Sequence, residues 1–290
     1  MKNIPQKVIH RFLRHDKRFP HVWCAGCGNG IILGDLLRAI YNLGLKKDSI
    51  AMVSGIGCSS RMPVYVDFNT LHTTHGRAIA FATGIKMAKP ELKVIVITGD
   101  GDAAAIGGNH FIHAARRNLD ITVIIVNNNI YGMTGGQCSP TTPEGKFATT
   151  APYGNLEPNF DLCELAMCAG ASFVARSTAY HTTETRQIFE KAIQKKGCSV
   201  VEVISQCPVS YGRMNSTPSA VEMLKLQRDQ TMALAAYDKL PDDKREGKIV
   251  RGILKDVDKP EFIEEYQKLV HSFQDSNMNM DNHTEKETQE

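Results

Sequence analysis

The chain has 290 residues, a net charge of +3 and eight cysteines, with 42% hydrophobic and 22% charged residues. That length holds one large domain or two small ones and buries a substantial core. Lys and Arg are scattered rather than striped, which argues against a nucleic-acid partner, and no apolar run is long enough to span a bilayer.

The first twenty residues, MKNIPQKVIHRFLRHDKRFP, are basic and lack the apolar segment of a secretory signal. They read as an irregular arm (1–20), with a short helix near His10–Arg14. The cysteines are too sparse for a disulfide scaffold, so the expected location is cytoplasmic, with the cysteines as ligands or core residues. The segment HVWCAGCGNG follows, with neither helix nor strand period. Apolar residues at helical spacing predict a helix over 31–43, and 50–54 reads as a short buried strand ending in GIGCSSR. A second helix is expected over 76–88.

Residues 94–98 and 121–126 are continuous apolar runs rich in β-branched residues, as strands covered on both faces require. Between them lies GDGDAAAIGGNHFIHAARRN, read as a helix opening after Asp102, with Gly107 and Gly108 in its first turns offering N–H groups to phosphate. The loop 133–159 is long enough to be functional. Helices over 163–169 and 183–195 alternate with strands over 172–175 and 200–204, and Gln206-Cys207-Pro208 follows the last strand end. Amphipathic helices are expected over 221–237 and 262–273. The polar tail from 274 reads as disordered. The resulting division is an arm (1–20), a main domain (21–240), a helical extension (241–273) and a tail (274–290).

Two strand ends carry polar ligands. Asp100 and Asn128 fall at the carboxyl ends of adjacent strands, where open parallel sheets bind ligands. Their oxygens suit a hard cation such as Mg²⁺, which completes its shell with phosphate and water. Cys24 and Cys27 form a CxxC pair, compatible by itself with a zinc half-site, a redox pair or a turn. Cys58 and Cys207 lie at two further strand ends on the same edge. Four such thiolates hold either a four-iron cluster or a tetrahedral zinc.

GDG, then 25 residues, then NN resembles the thiamine diphosphate motif. The longer string GDGDAAAIGGNHFIHAARRN…NNNIYGMTGGQCSPTTP resembles the β subunit of 2-oxoacid:ferredoxin oxidoreductases. The resemblance covers roughly 15–240. CGNG, SGIGCSSR, LHTTHGRAIAFATGIK and QCPVSYGR look nearest to the 2-oxoglutarate branch. It implies an α/β fold, a mostly parallel doubly wound sheet of the thiamine diphosphate-binding type. It implies Mg²⁺ on the side chains of Asp100 and Asn128 and the carbonyl of Ile130, and a 4Fe–4S cluster on Cys24, Cys27, Cys58 and Cys207. Ala25 departs from the family's CPGC. Further contacts to thiamine diphosphate are implied for Ile56, Gly57, Cys58, Ser59, His75, Gly101 and Asp102, and for the turn Gly132, Met133, Thr134, Gly135, Gly136 and Gln137. Arg61, three residues beyond Cys58, is the candidate partner for a second substrate carboxylate.

The implied reaction is oxidative decarboxylation of a 2-oxoacid to acyl-CoA and CO₂, with electrons leaving one at a time through the cluster. The expected partners are an α subunit carrying the pyrimidine-binding half and the base glutamate, small γ or δ subunits, ferredoxin or flavodoxin, coenzyme A and the oxoacid. No nucleic acid or membrane is expected. The alternatives are pyruvate or another 2-oxoacid as substrate, a non-reductive thiamine diphosphate decarboxylase or synthase with structural zinc, and a non-catalytic zinc scaffold.

Overall fold

The structure is a computed structural model and describes residues 5–16, 20–217, 219–245 and 247–287. Eight strands form one sheet: β1 (Ile50–Ser54), β2 (Asn69–His72), β3 (Lys93–Gly99), β4 (Thr122–Asn127), β5 (Phe173–Thr178), β6 (Ser199–Ile204), β7 (Thr231–Ala233) and β8 (Ile249–Asp256). Their spatial order is β2-β1-β3-β4-β6-β5-β8-β7. The first six are parallel, and β8 runs antiparallel to β5. The helices are α1 (Pro5–His10), α2 (Asn29–Asn42), α3 (Met62–Tyr65), α4 (Ala78–Ala88), α5 (Asp100–Ala104), α6 (Gly108–Arg117), α7 (Leu162–Ala169), α8 (Thr182–Gln194), α9 (Ala220–Gln230), α10 (Leu234–Tyr237) and α11 (Phe262–Glu287).

Side chains alternate across a strand, and the apolar runs of the central strands therefore feed two cores. Ile95, Ile97, Ile124, Val126, Val201 and Val203 face Leu36 and Ile40 of α2 and Phe189 and Ile193 of α8. Val94, Val96, Val123, Ile125 and Val200 face Ala82 of α4, Phe111 and Ala115 of α6 and Leu162 and Ala166 of α7. The doubly wound α/β sheet expected from the sequence is the observed fold.

Several expected boundaries shift. The helix expected after Asp102 opens at Asp100 and breaks at Ala105 (φ −85°, ψ −97°), and a second helix begins at Gly108. The helix expected over 221–237 stops at Gln230, because Thr231–Ala233 pairs with β8 instead. The 241–273 extension is not purely helical, since β8 extends the sheet. Its residues Arg251 and Lys255 interrupt an otherwise apolar alternation. The polar β2 carried no apolar signal. The tail expected to be disordered continues α11 to Glu287, through a stretch without Gly or Pro to stop it.

The N-terminal segment is more than an arm. Its helix lies at 5–10, ahead of the expected 10–14, and residues 1–4 and 17–19 lie outside the described residues. Phe12 and Leu13 are 2% and 5% exposed in the α2-side core. Arg14 donates to Val66 O and Thr70 Oγ1, both at 2.8 Å. Phe12→Ala should lower stability by about 3–5 kcal/mol, as deletion of a buried aromatic ring does; denaturant unfolding of the purified chain measures it.

Candidate functional site

Because β2, β1, β3, β4 and β6 run parallel, their carboxyl ends share one edge. Each hands over to a loop carrying a singled-out residue: His75 after β2, Gly55–Ser59 after β1, Asp100–Asp102 after β3, Asn128 after β4 and Cys207 after β6. A cavity of about 150 Å³ lies among them. It is lined by Ile56, Gly57, Cys58, Ser59, His75, Gly101, Asp102, Gly132, Met133 and Thr134, and by Asp100, Asn128, Ile130 and Tyr131.

Asp100 and Asp102 sit two residues apart, each 3% exposed, in different surroundings. Asp102 Oδ1 accepts from Gly76 N at 2.6 Å and Ile56 N at 3.3 Å and lies 2.5 Å from His75 Nδ1. Its Oδ2 accepts from Thr98 Oγ1 at 2.8 Å. The Asp102 side chain is thus saturated, and it pins the loops after β2 and β1 to β3. Asp102, expected from the sequence as a cofactor contact, lines the cavity, and its carboxylate also ties the surrounding loops together. Asp100 Oδ2 accepts from the hydroxyls of Ser139 (2.6 Å) and Thr141 (2.7 Å), and the Asp100 and Gly101 backbone N–H groups also reach its carboxyl. No cation pairs with it among the described residues. Burial pushes its carboxyl above the ordinary range, partly offset by those two hydroxyls. A buried carboxylate without a cationic partner is what a divalent metal compensates, so the donor set fits Mg²⁺.

The three asparagines divide the work. Asn127 is buried, with Nδ2 donating to Glu202 Oε1 at 2.7 Å. Asn128 lines the cavity, and its Oδ1 accepts from Ile130 N at 3.3 Å. Asn129 takes the left-handed conformation (φ 59°) that turns the chain, a conformation asparagine tolerates. Tyr131, missed in the sequence, donates its hydroxyl to Gly101 O at 3.2 Å and packs edge-on to His75. Gly101 is required here, since a Cβ would run into the Tyr131 ring.

The turn after Tyr131 is closed by Tyr131 N donating to Gln137 O and Gly136 N donating to Tyr131 O. Gly135 and Gly136 have φ of 116° and 96°. Gly135, Gly136 and Gln137 shape this turn but do not line the cavity. Thr134 Oγ1 donates to Gln137 Oε1 at 2.6 Å, so the two side chains satisfy each other. Gly107 and Gly108, expected near phosphate, also lie off the cavity. Arg61 is exposed, outside the lining, though its charge reaches Cys58.

Three loops bring the four thiols together. Cys27 N donates to Cys24 O, with Gly26 left-handed at φ 79° between them. Gln206 Nε2 donates to Gly26 O at 2.9 Å, tying that loop to Cys207. Trp23 Nε1 donates to Cys58 O at 2.6 Å. Burial pushes the Cys58 thiol up to about 11, with the other three cysteines adding and Arg61 opposing. Cys27 is raised too, again chiefly by burial, against hydrogen bonds from Asn29. A Cβ at Gly132 would lie 3.5 Å from Cys207 Sγ and 3.7 Å from Cys58 Sγ, so both sulfurs flank the cofactor turn. Among the described residues, no three of the four sulfurs lie within 4.8 Å of one another. Four thiols on one edge are the donor set of either a four-iron cluster or a tetrahedral zinc. Of the other cysteines expected in the core, Cys163 and Cys198 are buried, but Cys168 is exposed.

Residues 55–203 match the family "Thiamine pyrophosphate enzyme, C-terminal TPP binding domain". The 2-oxoglutarate synthase subunit KorB of Methanocaldococcus jannaschii is 54% identical over 90% of this chain and 96% of its own length. The protein of the same name from Methanothermobacter marburgensis is 53% identical over 90% and 92%. This chain belongs to the β subunits of the 2-oxoacid:ferredoxin oxidoreductases. Among solved structures, this β subunit superposes on a 2-oxoglutarate:ferredoxin oxidoreductase from Magnetococcus marinus, with 2-oxoglutarate, coenzyme A and succinyl-CoA bound. The TM-score is 0.81 at 33% identity, covering 91% of this chain and 90% of that one. It has the α/β fold and the thiamine diphosphate-binding domain of the family, and no described helix is long and apolar enough to cross a membrane.

The Asp102 geometry is testable. Asp102→Ala removes the acceptor shared by Gly76 N, Ile56 N, His75 and Thr98. It should weaken thiamine diphosphate binding at least about tenfold, read by calorimetry on the assembled complex, with cluster iron content unchanged.

Proposed function

We propose that this chain is the β subunit of a 2-oxoglutarate:ferredoxin oxidoreductase, converting 2-oxoglutarate and coenzyme A to succinyl-CoA and CO₂ and passing electrons to ferredoxin or flavodoxin. The observation that carries the reading is the meeting at Gly132, where Cys58 and Cys207 abut the cavity lined by Asp100, Asn128 and Ile130. The relatives named for 2-oxoglutarate, and the solved structure holding it, support the choice of substrate.

The residues take the following parts. Asp100, Asn128 and the Ile130 carbonyl hold Mg²⁺, and through it the diphosphate. Ile56–Ser59, Gly101, Tyr131 and Gly132–Thr134 form the wall against the cofactor, while Gly135–Gln137 keep the turn in shape. His75, oriented by Asp102, presents its ring to the cavity beside Tyr131. Cys24, Cys27, Cys58 and Cys207 hold a 4Fe–4S cluster. When bound, thiamine diphosphate supplies the electron sink for decarboxylation and the cluster takes up electrons singly. The chain's own contribution is to seat both against one turn, so that Cys58 serves the cavity wall and the cluster at once.

The aminopyrimidine needs a glutamate, and none is among the described residues lining this half-site. An α subunit carries that glutamate, and small γ or δ subunits complete the assembly. A cytoplasmic location suits free thiols and soluble carriers.

The chain purified anaerobically should be brown, with about four irons bound through Cys24, Cys27, Cys58 and Cys207. Alone it should show no viologen-coupled turnover, and with its α partner it should turn over 2-oxoglutarate. A colourless protein with one zinc would sink the cluster assignment, and robust activity of the lone chain would sink the heteromer. Arg61, at the exposed rim beside Cys58, is proposed to pair with the distal carboxylate of the substrate. Arg61→Gln in the complex should raise the KM for 2-oxoglutarate about tenfold or more and leave that for pyruvate nearly unchanged. Equal effects on both would remove Arg61 from substrate selection.

A further inference from the structure

Behind the Asn128 turn lies a chain of buried polar groups that the proposed reaction leaves unused. Arg176 on β5 donates through Nε to Glu202 Oε2 at 2.6 Å and through Nη2 to Asp161 Oδ1 at 2.5 Å. Glu202, on β6, accepts on its other oxygen from Asn127 Nδ2 at 2.7 Å. Asn127 Oδ1 accepts from Asn129 N at 3.1 Å and faces Thr141 Oγ1 at 2.9 Å. The Thr141 hydroxyl also lies 2.7 Å from Asp100 Oδ2. Arg176, Glu202, Asn127, Thr141 and Asp100 are all 7% exposed or less. Cys163 Sγ completes the group, 3.4 Å from Glu202 Oε2. Asp161, Cys163 and Glu202 come close enough to resemble a metal site. The Arg176 guanidinium already bridges the two carboxylates, so that place is taken by a cation.

We infer that Glu202 is a positioning residue for the proposed Mg²⁺ site, acting through Asn127 and Thr141; the inference rests on the thiamine diphosphate reading given above. The reason is donor and acceptor parity. An ionised carboxylate only accepts, so Asn127 must turn its amide N–H toward Glu202. Its oxygen is thereby forced toward Asn129 N–H and the Thr141 hydroxyl. The first contact closes the turn that aims Asn128 at the cavity. The second sets Asn127 Oδ1 and Asp100 Oδ2 in competition for the single Thr141 hydroxyl proton, so the orientation of Asn127 bears on both proposed side-chain metal ligands. Arg176 holds Glu202 in place through the Nε–Oε2 ion pair. Partners behind the ligands of a metal set its affinity in this way.

The substitution Glu202→Gln tests the parity argument. Arg176 claims the new amide's oxygen, which turns an NH₂ toward Asn127 and forces that side chain to flip. Its NH₂ then opposes Asn129 N–H, and the turn loosens. Thr141→Val removes the hydroxyl bridge at constant shape and is the second variant should Glu202→Gln fail to fold. Asp161→Asn is the control. It weakens the outer side of Arg176 and keeps a good N-cap for α7, but leaves Glu202 facing Asn127.

The experiment uses the assembled α–β complex, stripped of divalent metal and titrated with Mn²⁺ in the presence of thiamine diphosphate. Free Mn²⁺ is read by electron paramagnetic resonance, and melting temperature and iron content are recorded in parallel. Glu202→Gln and Thr141→Val should each weaken Mn²⁺ binding about tenfold or more, with iron content unchanged and Asp161→Asn close to wild type. Wild-type Mn²⁺ affinity in both variants would overturn the inference. So would equal loss in Asp161→Asn, which would reduce the chain to a structural brace. A wild-type complex that binds no Mn²⁺ with thiamine diphosphate present would instead fail the cofactor site itself.

Discussion

The site depends on one buried carboxylate, that of Asp102. Asp102 accepts from two backbone N–H groups and a threonine hydroxyl and lies against His75, joining the loops after β1 and β2 to β3. Parallel strands bring loops to one edge but do not fix the distances between them. A buried acceptor with every partner supplied does, because leaving any of those donors unpaired is costly. Gly55 and Gly76 belong to the same constraint. Each approaches so closely, to the Asp102 carboxylate and to the Ile106–Gly107 backbone respectively, that a Cβ would not fit.

Asp100 has the complementary environment. One turn of the same short helix thus presents one saturated carboxylate and one met by side-chain hydroxyls without a cation. The difference is made by what faces each: backbone donors from the neighbouring loops for Asp102, and Ser139 and Thr141 from the long loop for Asp100. That loop is functional in a specific sense. It supplies hydroxyls, which adapt to the charge of the carboxylate by rotation, where a lysine or arginine would have occupied the place of a metal.

The central strands and their flanking helices were legible because continuous β-branched runs leave few alternatives, and the GDG and NN spacing placed Asp100 and Asn128 at strand ends. The cysteines were legible as a CxxC pair and two strand-end positions; the approach of Cys58 and Cys207 to Gly132 required the fold. Asp102 was legible through the family resemblance as a cofactor contact, whereas its hydrogen bonds to Gly76 and Ile56 required the fold. Strands β2 and β8 were missed since one is polar and the other carries Arg251 and Lys255. Glu202 and Arg176 sit in apolar strand runs without any motif around them. A charged residue in the middle of a buried strand was the available signal, because burial of an ion demands a partner.

Gly132 is where these separate constraints become one. Two thiol sulfurs, those of Cys207 and Cys58, stand at van der Waals distance from where its side chain would begin. Gly132 also holds the backbone next to Ile130 and Tyr131, which belong to the metal and cavity side of the turn. One turn thus carries Ile130 and Tyr131 along the cavity and brings Cys58 and Cys207 beside it, and beyond it Gly135 and Gly136 turn the chain away in the left-handed conformation that glycine adopts without strain.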